Sequence, residues 1–557
     1  MELAPTIPEA FFVIMRERAE EPALWRKHDG RYEPIRHDEF ANRVAALARY
    51  FQTLDVRPGA RVGILSANCP EWAIADFAAM SAGAVVVPIH TTFAPETAAR
   101  IIARSGISVL CAAPGAFEPL VNVFPENSAL AHVIYIGKGS TVTPPGIATH
   151  QLEDVFAENI SGAAAGFIPA AASPDDVASI VYTSGTTGLP KGVHLTHRNF
   201  LSNIAAVHAR IPVVPGDIFL SFLPLSHVLE RMAGHFMPLL LGGSVAYAES
   251  SKTVADDMRL MRPTVLIGVP RFFEKAYAAL WERVNAGPRW KKRLFLAALK
   301  SKRGTFAHAM FDRLVFRTIR RRFGGRIRIL ISGGAHLELG VAKFFRKLGL
   351  TIFDGYGLTE TSPVIAVNGA NELKLGTVGR AAAGVDIRIA PDKEILVRGP
   401  NVMQGYAAPD GANDSDIDEE GWFATGDMGF IDADGFLTVV GRKKELIVTS
   451  GGKNVWPEPI ESRLNRETAI RQSMVLGNGR KFVAALIVPE GNARYAEVGA
   501  AVAMVNAELA EHERIKKFAL IPNEFTQAAG ELTPTLKLSR HAIEVHHRKE
   551  IDVLYAE

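Results

Sequence analysis

With 557 residues the chain exceeds the usual span of one hydrophobic core, so two or more domains are expected. Its 48% apolar and 22% charged residues fit a soluble globular protein, and a net charge of +3 is too small to demand a polyionic partner. Two cysteines, Cys69 and Cys111, exclude a Cys-based zinc site and a disulfide framework; a reducing, cytoplasmic compartment is the expectation.

Along the chain, the first residues carry Glu2 and Glu9 where a signal peptide would need basic charge, so no targeting segment is read. "HDEFANRVAALARYFQTL" has helical apolar spacing, and "RVGIL" and "GAVVVPI" are short β-branched runs. The most apolar stretch, Trp72 to Ile89, contains Asp76 and many small residues, which predicts a buried helix followed by a buried strand rather than a membrane span. "ASIVYTSG", "PTVLIGVP" and "IRILISGG" read as buried strands opening into glycine loops. This alternation predicts an α/β architecture with largely parallel sheets. After about residue 380 the texture turns to alternating strands and tight turns, and the last hundred residues return to mixed α+β. The expected division is a large domain, 1–441, with parallel α/β subdomains and a β-rich one, followed by a small domain, 442–557.

The densest local signal is "YTSGTTGLPKG", Tyr182 to Gly192. It satisfies no register of a Walker A loop, and no strand is followed by G-x-G-x-x-G. Neither a G-x-S-x-G elbow nor an H-E-x-x-H helix occurs. The composition still suits phosphate. Gly185, Gly188 and Gly192 let backbone N–H groups approach a ligand, Thr183, Ser184, Thr186 and Thr187 add hydroxyls, and Lys191 adds positive charge.

This stretch resembles the nucleotide-binding signature of the adenylate-forming superfamily, which includes acyl-CoA synthetases, luciferases and peptide-synthetase adenylation domains. Further segments resemble that family in order and spacing: "SGGA" (Ser332 to Ala335), "DGYGLTET" (Asp354 to Thr361), "ATGDMG" (Ala424 to Gly429), "GRKKELIVTSGGKNVWPEPIE" and "GELTPTLKLSR" (Gly530 to Arg540). "FLPLSHVLERM" and "GVPRFFEKAY" are most similar to long-chain fatty acyl-CoA synthetases. The resemblance implies ATP-dependent conversion of a long-chain fatty acid to acyl-AMP, then transfer to CoA. Medium-chain or aryl acids, or loading of a carrier protein, are the alternatives.

By the same resemblance, Gly333, Gly334, Ala335, Asp354, Gly355, Tyr356, Gly357, Thr359, Asp427 and Arg442 join the phosphate loop in holding ATP. Thr183 and Glu360 would hold Mg²⁺, and Lys537, Glu360, Thr186 and His227 are the catalytic candidates. His227, Val228, Gly268, Gly334 and Gly357 would border the acyl group, and Gly451, Gly452 and Lys453 would meet CoA. Lys444 would be the hinge on which the small domain turns between the two half-reactions. His541, His546 and His547 suggest a metal, but their spacing fits a solvated helix better.

From Arg289 to Arg328 fourteen Lys/Arg face one acid, Asp312, a local +13 interleaved with Phe295, Phe306, Phe311 and Phe316. A solvated helical face, a CoA-phosphate surface and peripheral contact with an anionic membrane, at the inner face, are the readings open. Nucleic acid is not expected, because the rest of the chain is acidic and lacks the usual motifs.

Overall fold

Two nine-stranded mixed sheets form most of the molecule, seen in a computed structural model that describes residues 3–125, 128–137, 139, 142–183, 190–250, 252–407, 413–414, 416–533 and 537–556. In the first sheet, Val177–Thr183, Val85–Pro88, Arg61–Leu65, Ile107–Ala112, His132–Tyr135 and Ala148–Gln151 run parallel. Lys191–Thr196 folds back antiparallel on Val177–Thr183, and Gly405–Ala407 adds to it. The second sheet has a parallel centre of Ser244–Tyr247, Ile218–Ser221, Val265–Gly268, Ile329–Ser332 and Ile352–Gly357. The predicted strand–glycine-loop units are therefore the central strands, and all four residues of Val265–Gly268 and of Ile329–Ser332 are buried.

Trp72 to Ile89 forms most of the helix Pro70–Ser81 and the strand Val85–Pro88, every residue of both but Glu71 being buried. Among the described residues no helix is long and apolar enough to cross a membrane. Glu9 has a local role: it completes a capping box with Thr6 at the start of the helix Ile7–Glu17. A four-stranded antiparallel sheet, Asp386–Ile389, Glu394–Arg398, Phe423–Ile431 and Leu437–Arg442, is the β-rich part. The C-terminal portion holds a three-stranded sheet, Ile470–Leu476, Val483–Pro489 and Ile515–Leu520, with its own apolar cluster.

Asp76 is fully buried because it has partners far away in sequence. Arg231 donates Nε to its Oδ2 at 3.0 Å and makes a second contact to Oδ1, while His235 lies 3.2 Å from Oδ2. Arg231 also donates to Ser179 in the strand Val177–Thr183. Burial pushes the Asp76 carboxyl up, but Arg231 and His235 more than offset it and hold the group below its ordinary value. The cluster joins a helix and strand of the first sheet to the π-helical turn Glu230–Phe236 that follows the second sheet's strand Ile218–Ser221.

Beside it, Glu230 is 1% exposed and burial lifts its carboxyl to about 8. Gly234 is small because a Cβ there would lie 2.7 Å from that carboxyl. The folded state thus holds a proton that the unfolded chain releases near pH 4.5. Wild-type stability should fall as pH rises from about 4.5 to about 8 by up to ~1.4 kcal/mol per pH unit from this group alone. Glu230→Gln should remove that slope, so variant minus wild type should grow across the window and level off above it. Urea unfolding at a series of pH values checks this; a difference independent of pH would refute it.

Candidate active site

The phosphate-loop candidates Ser184, Gly185, Thr186, Thr187 and Gly188 lie outside the described residues. The two ends of that loop are fixed by the sheet. Thr183 and Lys191 are register partners of the antiparallel pair, and Thr183 Oγ1 donates to the Lys191 carbonyl at 3.5 Å. Gly192 admits no side chain there: a Cβ would sit 2.9 Å from Ile180.

Lys191 extends its ammonium 4.5 Å from the centre of the Tyr406 ring. Tyr406 is delivered by the short strand Gly405–Ala407, where it pairs with Val193, and its hydroxyl donates to Glu360 Oε1 at 3.0 Å. Burial and then the Glu360 charge raise the Tyr406 phenol, so it stays a donor. Glu360 itself sits in the short turn Thr359–Thr361, with its carbonyl accepting from Met403 N at 2.8 Å. Tyr406 was absent from the sequence reading; its 46-residue separation from Glu360 leaves no local signal.

A second carboxylate is held from two sides. Asp427, 4% exposed, accepts from the Tyr356 hydroxyl at 2.7 Å and from Arg442 Nε at 2.8 Å. Asp427 and Arg442 are opposite each other across the pair Phe423–Ile431 and Leu437–Arg442, so the ion pair follows from register. Burial raises the Asp427 carboxyl, while Arg442, Tyr356 and Lys537 each pull it down. Tyr356, Gly355 and Asp354 lie on the strand Ile352–Gly357, where Asp354 is the register partner of Ser332. Asp354 Oδ1 and Ser332 Oγ are both buried without a hydrogen-bond partner among the described residues, an unused polar edge beside Tyr356. Burial raises the Asp354 carboxyl well above its ordinary value.

The glycines of "SGGA" and "DGYG" have separate reasons. Gly334 adopts φ +88°, with Gly334 and Ala335 exposed at the strand end, whereas Gly333 is buried. Gly357 is required by its own chain: a Cβ there would lie 1.7 Å from the Pro363 carbonyl oxygen. Gly268 lies against Phe272 and Phe273, and Val228 is 1% exposed.

His227 is a neutral imidazole in this setting. Burial first, then the charges of His90 and Lys537, push it down to about 3. Its ring centre is 6.5 Å from that of His90, whose Nδ1 is 2.9 Å from Ser226 Oγ. Lys537 is partly exposed; desolvation and then the Arg442 charge lower its ammonium, whereas Glu458, Asp427 and Glu445 act upward. A single lysine of the C-terminal portion therefore acts electrostatically on His227, Asp427 and Arg442 together.

The segment joining the two portions has an anchor on each side. Lys443 Nζ bonds Asp392 Oδ2 at 2.6 Å and Glu394 Oε2 at 2.7 Å, in the β-rich sheet. Glu445 is engaged by Arg540 at 3.3 Å, which in turn pairs with Glu461 at 2.7 Å. Lys444 is exposed between them. Gly451, Gly452 and Lys453 occupy the exposed tip of the hairpin Ile447–Val448 and Asn454–Val455. His546 and His547 both turn to Glu531, at 3.1 and 3.3 Å, so these two are held by a carboxylate rather than lying free on a solvated face; His541 is exposed.

A family model described as AMP-binding enzyme matches residues 11–407, and the AMP-binding enzyme C-terminal domain matches 444–557. The chain belongs to the AMP-binding enzyme family. A long-chain-fatty-acid–CoA ligase of Mycobacterium bovis is 37% identical, the alignment covering 95% of this chain and 93% of that protein. Long chain acyl-CoA synthetase 6, peroxisomal, of Arabidopsis thaliana is 30% identical over 95% of this chain and 82% of its own. Among solved structures, the fold is shared with the adenylation domain of a carboxylate reductase from Mycobacterium chelonae (TM-score 0.81, 22% identity, 99% and 91% coverage). It is shared also with an anthranilate CoA ligase bound to anthranoyl-AMP (TM-score 0.78, 20% identity, 99% of both chains).

Asp427 has Tyr356 on Oδ2 and Arg442 on Oδ1 to orient it, and hydrogen bonds to charged groups are each worth ~1.5–3 kcal/mol. Asp427→Ala should therefore weaken AMP binding by roughly 10–100-fold. Calorimetric titration with AMP reads this, and an unchanged affinity would remove Asp427 from the nucleotide site.

Proposed function

We propose that this chain is a long-chain fatty acid–CoA ligase: with ATP it makes acyl-AMP and pyrophosphate, then transfers the acyl group to CoA and releases AMP. The observation that carries this reading is the position of Lys537. It reaches from the C-terminal portion toward neutral His227 on one side and the Tyr356–Asp427–Arg442 set on the other. An acyl carboxylate beside His227 and a nucleotide on Asp427 would share that lysine. The name of the Mycobacterium bovis relative supports the acyl class.

A carboxylate is a poor acyl donor because its leaving group would be oxide, and adenylation replaces that with AMP. The carboxylate oxygen attacks the α-phosphorus as the bond to pyrophosphate breaks, so the task is positioning and charge neutralisation. Asp427 would accept from the ribose hydroxyls, its geometry set by Tyr356 and Arg442. Asp354 and Ser332 offer their unused polar edge to adenine, and Thr359 and the loop 184–188 would meet phosphates. His227, uncharged, can donate to the acyl oxygen without competing with Lys537 for the negative charge. Lys537 would bridge the carboxylate and the α-phosphate as the new bond forms.

Glu360 and Thr183 fit Mg²⁺ by donor type: both offer hard oxygens, and the Tyr406 hydroxyl holds one carboxylate oxygen while leaving the other available. Bound there with the phosphates, the ion would neutralise their charge.

Thioester formation needs Lys537 withdrawn and the CoA thiol admitted. The anchors at Lys443 and Glu445 support Lys444 as the residue about which the small domain, 442–557, would turn on the large one, 1–441. The exposed hairpin tip, Gly451 to Lys453, would then face the pantetheine arm. Contact of residues 289–328 with an anionic membrane is part of the same reading, since long-chain acids reside there.

CoA-dependent AMP release across acids from acetate to octadecanoate, with benzoate, should give the highest kcat/KM at about twelve to eighteen carbons, each buried CH₂ adding ~0.8 kcal/mol. Preference for acetate or benzoate would overturn the acyl assignment but leave the mechanism.

Half-reactions test the mechanism itself. Lys537→Ala should slow adenylation by ~10²–10³ and leave thioester formation from presynthesised acyl-AMP near normal. Lys444→Pro fixes φ near about −65° and should uncouple the two half-reactions, impairing one far more than the other. Equal loss of both in a folded Lys444→Pro protein would count against the hinge.

A further inference from the structure

Lys537 lies on the returning arm of a hairpin whose two arms meet at Glu531 and Ser539. Ser539 N donates to the Glu531 carbonyl at 2.8 Å, Leu532 and Leu538 bridge above that root, and Thr533 N donates to the Lys537 carbonyl at 2.8 Å. Below the root, the Thr526 carbonyl accepts from both Glu531 N and Leu532 N. Phe525, one residue earlier, is fastened to Gln472 of the strand Ile470–Leu476 by two hydrogen bonds, at 2.8 and 3.2 Å. The outgoing arm is thereby tied to the small sheet.

The Glu531 side chain, 8% exposed, is held on both oxygens. Its Oε1 lies 3.1 Å from His546 Nδ1 and 3.3 Å from His547 Nε2, and its Oε2 accepts from Thr526 N at 3.3 Å. Against a carboxylate each of these ring nitrogens carries its hydrogen and donates. His546 ends the helix Arg540–His546, and His547 joins it to Arg548–Tyr555. His547 also packs against Phe525, ring centres 5.8 Å apart, while Ile543, Ile551 and Leu554 of the two helices are buried in the small portion. The arginines flanking the histidines are engaged elsewhere, Arg540 with Glu461 and Glu445, and Arg548 with Asp552. A closed ring of bonds therefore runs from the Glu531 carboxylate to the histidines, back along the helix to Ser539, and onto the Glu531 carbonyl. It fixes the angle between the hairpin and the helices.

We infer that Glu531, His546 and His547 are positioning residues for adenylation: the clamp sets the angle at which the hairpin presents Lys537 to His227 and the Asp427–Arg442 pair. The inference rests on the ligase reading for the step it serves, whereas the clamp itself stands on the distances above. Lys537 is two residues from Ser539, so at ~3.3 Å per residue its backbone stands ~7 Å from the root, and its side chain lengthens the lever. A tilt of ~10° at the root moves the lysine by ~1 Å, and a misplacement of that size at a reacting centre costs ~10²-fold in rate. Thioester formation, for which Lys537 is withdrawn, gains nothing from this angle. A purely structural clamp would instead affect both half-reactions alike.

The test compares the full wild-type chain with two double variants. His546→Ala with His547→Ala removes both donors. His546→Asn with His547→Gln keeps them, since the Asn Nδ2 replaces Nδ1 and the Gln Nε2 replaces Nε2. Acid-dependent ATP–pyrophosphate exchange reads adenylation, and presynthesised acyl-AMP with CoA reads thioester formation. The alanine pair should lower kcat of exchange by roughly 10–100-fold, with KM for ATP and acid unchanged and thioester formation at the wild-type rate. The Asn/Gln pair should recover most of the lost exchange. Amide hydrogen exchange gives a readout apart from activity. Thr533 and Ser539 amides, bonded to the Lys537 and Glu531 carbonyls, should exchange faster in the alanine pair, while Val475, bonded to Glu461, stays protected. Wild-type adenylation in the alanine pair, equal loss of both half-reactions, no recovery by the Asn/Gln pair, or unchanged protection at Thr533 and Ser539 would overturn the inference. A wild type that forms no acyl-AMP would sink the ligase reading instead, and with it the inferred purpose of the clamp, while the amide readout would still report on the clamp itself.

Discussion

Asp76 and Arg231 are 155 residues apart, and their buried ion pair fastens the two large sheets to each other. Breaking such a pair from one side leaves a charge uncompensated at a cost of about 3–5 kcal/mol. The same π-helical turn that carries Arg231 and His235 begins three residues after His227. The position of His227 relative to the strand Val177–Thr183 therefore depends on this one ionic joint: Ser179, bonded to Arg231, is four residues from Thr183. Aromatic packing supports it, with Trp72, Phe200 and Phe236 around the guanidinium.

Around that joint the polar side chains fall into two groups that the fold keeps distinct. Tyr406, with Lys191 over its ring, bonds Glu360 beside the end of the first sheet, whereas Tyr356 and Arg442 converge on Asp427 beside the end of the second. Each carboxylate has one tyrosine donor, and Asp427 has a cation beside it as well. In the proposed reading the first set handles phosphates and the second the nucleoside, so the scissile bond lies between them, under Lys537.

Much of this was legible where the chemistry is local. Strands running into glycine, such as Val265–Gly268 and Ile329–Ser332, declare themselves by an apolar β-branched run followed by residues with little side chain. Helix and strand between Trp72 and Ile89 were legible for the same reason, although Asp76 reads locally as an interruption and is in fact a tie. What was not legible depends on register or long separation. Tyr406 reaches Glu360 only because the short strand Gly405–Ala407 pairs with Lys191–Thr196. Gly357 is small because Pro363 comes back against it, a reason no ligand supplies. Composition alone made Arg320 one of fourteen equivalent cations, but its bonds to Asp312 and Leu348 tie it to the fold.

Polar contacts join the large and small portions at Glu338 and His336. Arg466 meets Glu338 at 3.2 Å, and Glu458 accepts from His336 N at 3.4 Å. Exposed pairs of this kind contribute ~0–1 kcal/mol and weaken with added salt. Glu338 is also bound at home, since it caps the helix Leu339–Lys347 through Val341 N, so releasing Arg466 leaves it satisfied. Arg540, by contrast, is fastened to Glu461 inside the small portion only three residues after Lys537. In the proposed mechanism the lysine and its carrier would travel as one body while the latch against the large portion stays loose. Ionic strength would then act as a throttle on cycling: added salt would loosen the docked pose but leave the lysine's mounting intact.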